Sequence, residues 1–330
     1  MPSTTSALIV TRPGDGSVLR VEPRDVADPA PGELLVEVAA SGVNFIEVYQ
    51  RQGVYPMPTP FVLGTEGAGT VRDVGADVIG FADGDIVAWA AAPGSHAGVV
   101  RVPADKAVAV PDGLDPQLAA AVMLQGMTAH YLVNSTYPVQ PGDSVLIHAA
   151  AGGVGQLLVQ LAKAHGARVV ATVSSEAKAE KVRGLGADAV IRYRDFDDTN
   201  TLADAIRAAN GGAGVKVAYD GVGQATFEAS LAALAPRGMG VLFGGASGQV
   251  PPFDLQRLNQ LGSLYVTRPS LGHYTATRDE LLWRGHDVLA AVADGSLQVE
   301  IGGRYGLAEA ARAYDELENR RTTGKLIFQP

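Results

Sequence analysis

Val145-Leu-Ile-His-Ala-Ala-Ala-Gly-Gly-Val-Gly155 passes from an apolar run through a glycine-rich turn into an amphipathic stretch. Beyond the turn, Val154, Leu157, Leu158, Leu161 and Ala162 recur at the spacing of one helical face. The segment therefore predicts strand, tight turn and helix. Gly152 and Gly153 allow a sharp bend and close backbone approach to a pyrophosphate. Gly155 lets the helix pack against the sheet, and the turn Gly152-Gly153-Val154 then sets the positive helix end facing phosphate. The G-x-G-x-x-G spacing is incomplete because Ala150 occupies the first glycine's place. For the motif alone, an ordinary strand–helix turn remains the alternative.

The sequence around this turn narrows the choice. Strand-like segments at 145–149, 168–173, 189–193, 215–220, 238–243 and 264–267 are interleaved with helix-like ones at 154–165, 176–185 and 224–234. Such alternation predicts right-handed βαβ units and a parallel sheet covered on both faces. A site for unphosphorylated dinucleotide usually carries Asp or Glu about 20 residues after the turn. Here the second strand runs into Ser174 and Ser175, with Lys178 following. Hydroxyls and an ammonium suit a 2′-phosphate that a carboxylate would repel, so NADPH is expected over NADH. Glu176 is expected to point to solvent from the first turn of a helix. The plainer reading of Lys178 is a solvated surface lysine.

The first third is β-rich. Leu34, Val36 and Val38 alternate, Gly64–Val74 and Asp85–Trp89 read as short strands, and Val43–Arg51 reads as a helical turn. The tail offers helices at 279–293 and 307–319 and an apolar strand, Lys325–Phe328. It is too short for an independent domain and is expected to return to the first one.

A chain of 330 residues with 47% hydrophobic and 18% charged side chains can build two cores. Its 26 basic against 35 acidic residues leave a net charge of −9, which argues against a nucleic-acid partner. No uncharged apolar stretch is long enough for a membrane span, and Met1–Arg20 lacks the basic start and apolar core of a secretory signal, so the chain is expected to be cytoplasmic. With no cysteine, disulfides and thiolate metal sites are excluded.

Val43-Asn-Phe-Ile-Glu-Val-Tyr49 and Gly64-Thr-Glu-Gly-Ala-Gly69 resemble the N-terminal part of the quinone oxidoreductase family of medium-chain dehydrogenase/reductases. The glycine turn, Tyr219-Asp-Gly-Val-Gly223, Leu261–Leu271 and Gly324-Lys-Leu-Ile-Phe328 continue the resemblance, in order, along essentially the whole chain. It implies an α/β protein: a GroES-like β-rich barrel that binds substrate, residues 1–124 completed by 269–330, and a Rossmann doubly wound parallel sheet, residues 125–268, that binds NADPH. It also implies a homodimer formed through the nucleotide-binding domains. Ser174, Ser175, Lys178 and Tyr193 would surround the 2′-phosphate or adenosine, and Arg320 also matches a cofactor position. Phe243, Gly244, Val266 and Arg268 would lie beside the nicotinamide half. Asn44, Tyr49, Tyr55 and Thr128 would lie near the nicotinamide and the substrate. Gln125 stands where close relatives can carry lysine, and Gly244-Gly245-Ala246 lacks an asparagine that relatives can offer.

Zinc dehydrogenases of the same superfamily use thiolate and imidazole ligands. Thr65 stands where they place a ligand histidine, and the six histidines show no paired spacing, which predicts a metal-free site. His148 could sit near the cofactor or simply pack. Without a Lewis acid, hydride transfer to an already electrophilic quinone or activated carbonyl is the expected chemistry. Asn44 and Tyr49 are the candidates for hydrogen-bonding the acceptor oxygen, against the alternatives of a turn residue and a packing residue. An alkenal or enone reductase is the second reading, and an NADPH-binding protein with a structural or RNA-binding role the third.

Overall fold

The computed structural model describes residues 3–319 and 321–330. Two compact units divide the chain: one runs to Met127 and resumes at Thr275, and the other is Thr128–Tyr274.

The first unit contains β1 (Ser3–Val10), β2 (Leu19–Val26), β3 (Glu33–Gly42), α1 (Phe45–Arg51), β4 (Phe61–Val62), β5 (Gly67–Val74), β6 (Ile86–Trp89), β7 (Val99–Pro103), β8 (Val108–Ala109) and most of α2 (Pro116–Tyr131). One sheet has the order β2-β1-β4. The other pairs β3-β5-β6-β8 in that order, with β7 also pairing β3 and two C-terminal strands extending it beyond β3. Its last two members, β15 (Ile301–Tyr305) and β16 (Lys325–Phe328), come from the C-terminal segment. β16 lies antiparallel to β3, Ile327 opposite Gly42 and Phe328 opposite Ser41, so the tail returns to this unit. The alternation read in β3 is real: Leu34, Val36 and Val38 are buried with Val71, Val87, Trp89 and Val102. A second core joins Leu8, Val10 and Phe328 to Ala310, Ala313 and Tyr314 of the late helix.

The second unit holds β9 (Ser144–Ile147), α3 (Gly153–Ala164), β10 (Arg168–Val173), α4 (Glu176–Gly184), β11 (Ala189–Arg192), α5 (Thr199–Ala209), β12 (Val215–Asp220), α6 (Phe227–Ala233), β13 (Leu234–Leu242), α7 (Gln256–Gln260), β14 (Tyr265–Thr267) and α8 (Leu271–Tyr274). After it come α9 (Arg278–Ala293) and α10 (Ala310–Glu318) of the first unit. All six strands are parallel, in the order β11-β10-β9-β12-β13-β14. The chain starts at the centre, builds outward to β11, then returns to β12 on the other side of β9. This reversal opens a switch point beyond the carboxyl ends of β9 and β12, where such sheets bind ligands.

Three departures from the sequence expectation have plain causes. α2 buries Ala119–Met123 without a polar face, so it has no amphipathic period to read. β2 exposes every residue between Leu19 and Val26 and shows no alternation. The helix expected over 224–234 begins only at Phe227 because the chain first turns through Gly221-Val-Gly223.

Candidate functional site

The glycine-rich turn follows β9 at the carboxyl edge of the sheet. Ala149 takes the left-handed conformation, φ 50°, and Gly152 N–H donates to Ala149 O at 2.8 Å, which closes the turn. A β-carbon on Gly155 would lie 2.4 Å from Ala149 O and 2.7 Å from Ala150 Cα. Only glycine lets α3 begin so close beneath the turn. Gly152 and Gly153 stay accessible above it, at the start of a twelve-residue helix whose free amides face outward. This cradle fits a dinucleotide pyrophosphate.

Beside it, β10 ends at Val173 and delivers Ser174 and Ser175. Ser175 caps α4, accepting from Lys178 N–H, and Ser174 and Lys178 are half-buried. Glu176 does not merely point to solvent. It pairs with Arg183 at 2.6 Å and Arg192 at 3.6 Å. The Arg183 hydrogen bond, then the charges of both arginines, hold its carboxyl below the usual range. The Glu176 carboxylate is thus paired with two guanidiniums, one of which, Arg192, also pairs with Asp195 at 2.8 Å. Arg192 was missed by the sequence reading because it lies inside a predicted strand. Tyr193 follows β11 directly and packs partly against the sheet core.

On the other side of the switch point, buried Asp220 ends β12. Its carboxylate accepts from the amides of Val222 (2.8 Å) and Gly223 (3.0 Å) and from the hydroxyls of Thr226 (2.8 Å) and Ser230 (2.8 Å). Four donors shape the turn after β12, a role no motif signalled. Against it lie Phe243 and Gly244, just past β13. A β-carbon on Gly244 would fall 2.4 Å from Gly221 O, and one on Gly221 would fall 2.8 Å from the Phe243 ring. Val266 and Arg268 stand, exposed, on and after the edge strand β14. The strand register sets His148 between Thr172 and Asp220. His148 is fully buried and its Nδ1 is 2.8 Å from Thr172 Oγ1, so it packs beneath the turn rather than lining its open side. Burial pushes its pKa down, opposed by the Asp220 charge. Thr128, at the start of this unit, is buried. Arg320 lies outside the described residues.

The first unit gathers a different set. Asn44 precedes α1, and its backbone N–H donates to Glu47 at 2.8 Å. Asn44 is only 3% exposed, and its side chain is fully engaged. Nδ2 donates to Gly42 O (3.1 Å) and to Glu66 Oε2 (2.8 Å), while Oδ1 accepts from Lys325 Nζ (2.7 Å). Both amide hydrogens are therefore used within the protein. Tyr49, one face of α1 further on, is half-buried. Its ring meets Tyr55 edge-on at 5.6 Å and Phe45 at 6.3 Å, and Tyr55 N–H donates to Tyr49 O. Ile46, Val54 and Met57 extend this exposed apolar surface.

These residues do not fit zinc. The chain has no cysteine, Thr65 offers a hydroxyl, and the Glu66 carboxylate is already taken by Asn44, Lys325 (2.6 Å) and Leu124 N–H (2.6 Å). Among the described residues, no group of three or more His, Asp or Glu side chains is placed to hold a metal ion.

Comparison with known proteins agrees with this architecture. Residues 30–112 match the alcohol dehydrogenase GroES-like domain and residues 153–282 the zinc-binding dehydrogenase family. A quinone oxidoreductase of Pseudomonas aeruginosa is 44% identical, the alignment covering 96% of this chain and 97% of that one. A 2-haloacrylate reductase of Burkholderia is 40% identical over 92% and 93%. The crystal structure of Escherichia coli quinone oxidoreductase complexed with NADPH superposes with a TM-score of 0.95 at 41% identity, covering 99% of this chain and all of that one. The fold and site thus define a medium-chain dehydrogenase/reductase built from a GroES-like and a Rossmann unit, and within that class the chain belongs to the quinone oxidoreductase family.

Proposed function

We propose that the protein reduces quinones with NADPH: quinone, NADPH and a proton give hydroquinone and NADP+. The supporting observation is the edge of the parallel sheet, where a glycine cradle, two serines, Lys178 and an arginine-paired Glu176 offer groups suited to a phosphorylated dinucleotide. When bound, NADPH supplies the hydride. Gly152, Gly153 and Val154 present backbone amides to the pyrophosphate, Ser174, Ser175, Lys178 and Tyr193 take the 2′-phosphate or adenosine, and Arg320 is kept as a cofactor position. Phe243, Gly244, Val266 and Arg268 line the nicotinamide half. Tyr49 donates to the acceptor oxygen as charge develops there, Tyr55 and Thr128 complete the acceptor's surroundings, and Asn44 serves the site by holding α1. Residues 1–124 with 269–330 are assigned to the acceptor and 125–268 to NADPH.

The relative that is named a 2-haloacrylate reductase supports an activated alkene as the second acceptor class. A steady-state panel of NADPH against ortho- and para-quinones, enals and haloacrylates separates the two. Turnover confined to alkenes would overturn the quinone assignment.

A homodimer joined through β14 is part of this proposal. Its outer edge carries no partner strand among the described residues, and Tyr265 and Val266 stand exposed on it. No helix among the described residues is long and apolar enough to cross a membrane. The proposed setting is the cytoplasm, where NADPH is kept reduced.

A further inference from the structure

Glu66 and Lys325 form an ion pair at 2.6 Å with side-chain exposures of 0% and 2%. Burying two charges costs several kcal/mol per ion, and such pairs seldom repay this in stability alone. This pair is closed into a ring by Asn44, which accepts from Lys325 and donates to Glu66. Elements far apart in sequence meet there. Gly42 ends β3, Asn44 starts α1, Glu66 precedes β5, Leu124 lies in α2 and Lys325 opens β16. The packing leaves no slack: a β-carbon on Gly42 would lie 2.1 Å from Glu66 Oε2 and 2.8 Å from Lys325 Cε. The next turn of α1 is also held from the C-terminal segment. Tyr314 OH donates to Glu47 at 2.8 Å, and Arg51 pairs with Glu318 at 2.7 Å.

We infer that Glu66 and Lys325 are positioning residues for acceptor reduction, acting through Asn44 to fix the first turn of α1 and hence the direction of the Tyr49 hydroxyl. The inference rests on the proposed role of Tyr49. A lone change at either charge strands the other in the core, so the test uses the neutral pair Glu66→Gln/Lys325→Met. Asn44→Ser, which cuts the link and spares the ion pair, serves as a second, independent variant.

Both variants are expected to keep NADPH dissociation constants within about twofold, because the glycine turn, Ser174, Ser175 and Lys178 lie in the other unit, while kcat with a quinone falls roughly tenfold. In a Tyr49→Phe background, the same changes should lower kcat less than about twofold further, since the group they aim has gone. Full multiplication of the two losses, or wild-type kcat in both variants, would overturn the inference. A readout independent of turnover follows the Asn44 side-chain amide by NMR, assigned by its loss in Asn44→Ser. It should exchange slowly with solvent in the wild type and quickly in the neutral pair; equally fast exchange in both would also overturn the inference. A wild type that oxidises NADPH with no quinone, yet shows the slow amide, would refute the proposed function and leave the local geometry standing.

Discussion

Gly155→Ala perturbs the cofactor cradle through one methyl group. The added carbon would sit 2.4 Å from Ala149 O and 2.7 Å from Ala150 Cα, where ordinary contacts begin near 3.4 Å. Both neighbours are backbone, so neither can swing aside, and relief requires α3 to withdraw by about 1 Å. Overpacking of this kind costs about 1–3 kcal/mol. If the strain falls wholly on the amides facing the pyrophosphate, NADPH affinity drops by roughly 5- to 150-fold, at about 1.4 kcal/mol per tenfold. If it spreads into the sheet, the melting temperature falls by about 2–12 °C instead. NADPH fluorescence titration and thermal unfolding of the same preparation measure both terms. Gly184→Ala is the control: it lies in a helix with nothing within 4 Å of its would-be β-carbon. Identical affinity and melting temperature for Gly155→Ala and wild type would refute the reading of this turn as a cradle made by close packing.

Further outcomes follow from the same geometry. Lys178→Ala should lower the NADPH-over-NADH preference by roughly tenfold or more, the value of one charge-assisted hydrogen bond; wild-type preference in paired kcat/KM measurements would remove Lys178 from the phosphate site. Tyr49→Phe should lower kcat by about tenfold with NADPH affinity kept, and a fall in affinity alone would assign Tyr49 to packing. Asp220→Ala strands four buried donors and should lower the melting temperature by several degrees or prevent folding; calorimetry of Asp220→Asn, which keeps part of the acceptor set, should fall between it and wild type. Burial holds the His148 imidazole below its ordinary pKa, so its neutral form contributes stability that is present above the unfolded value of about 6.5 and lost as pH falls below it. Urea midpoints should therefore decline on acidification, and less steeply in His148→Gln; equal slopes would place the acid sensitivity elsewhere.

Much of the nucleotide-binding unit was legible because its strands and helices carry clean periods and its turn needs glycine for steric reasons. β10, β12 and β16 begin and end where the hydrophobic pattern places them. What escaped the sequence was whatever depends on contacts between distant segments. α2 is buried over most of its length, so burial erases its period, and β2 is held by pairing with β1 although nearly all of it is exposed. Asn44 was found by resemblance, but its engagement with Glu66 and Lys325 joins residues more than 250 positions apart. Arg192 carries no motif, and Asp220 stands in Tyr219-Asp-Gly-Val-Gly223, which does not say what it binds; their partners become visible only once the carboxyl edge of the sheet is assembled.

The most direct test mixes NADPH-loaded protein with a quinone in a stopped-flow instrument, with and without a metal chelator, and follows NADPH oxidation over one turnover. The expected result is one NADPH consumed per hydroquinone formed, slowed by deuterium at the transferred position of the nicotinamide and indifferent to chelator. NADPH that stays reduced against every quinone tried, or a rate abolished by the chelator, would contradict metal-free hydride transfer by this fold.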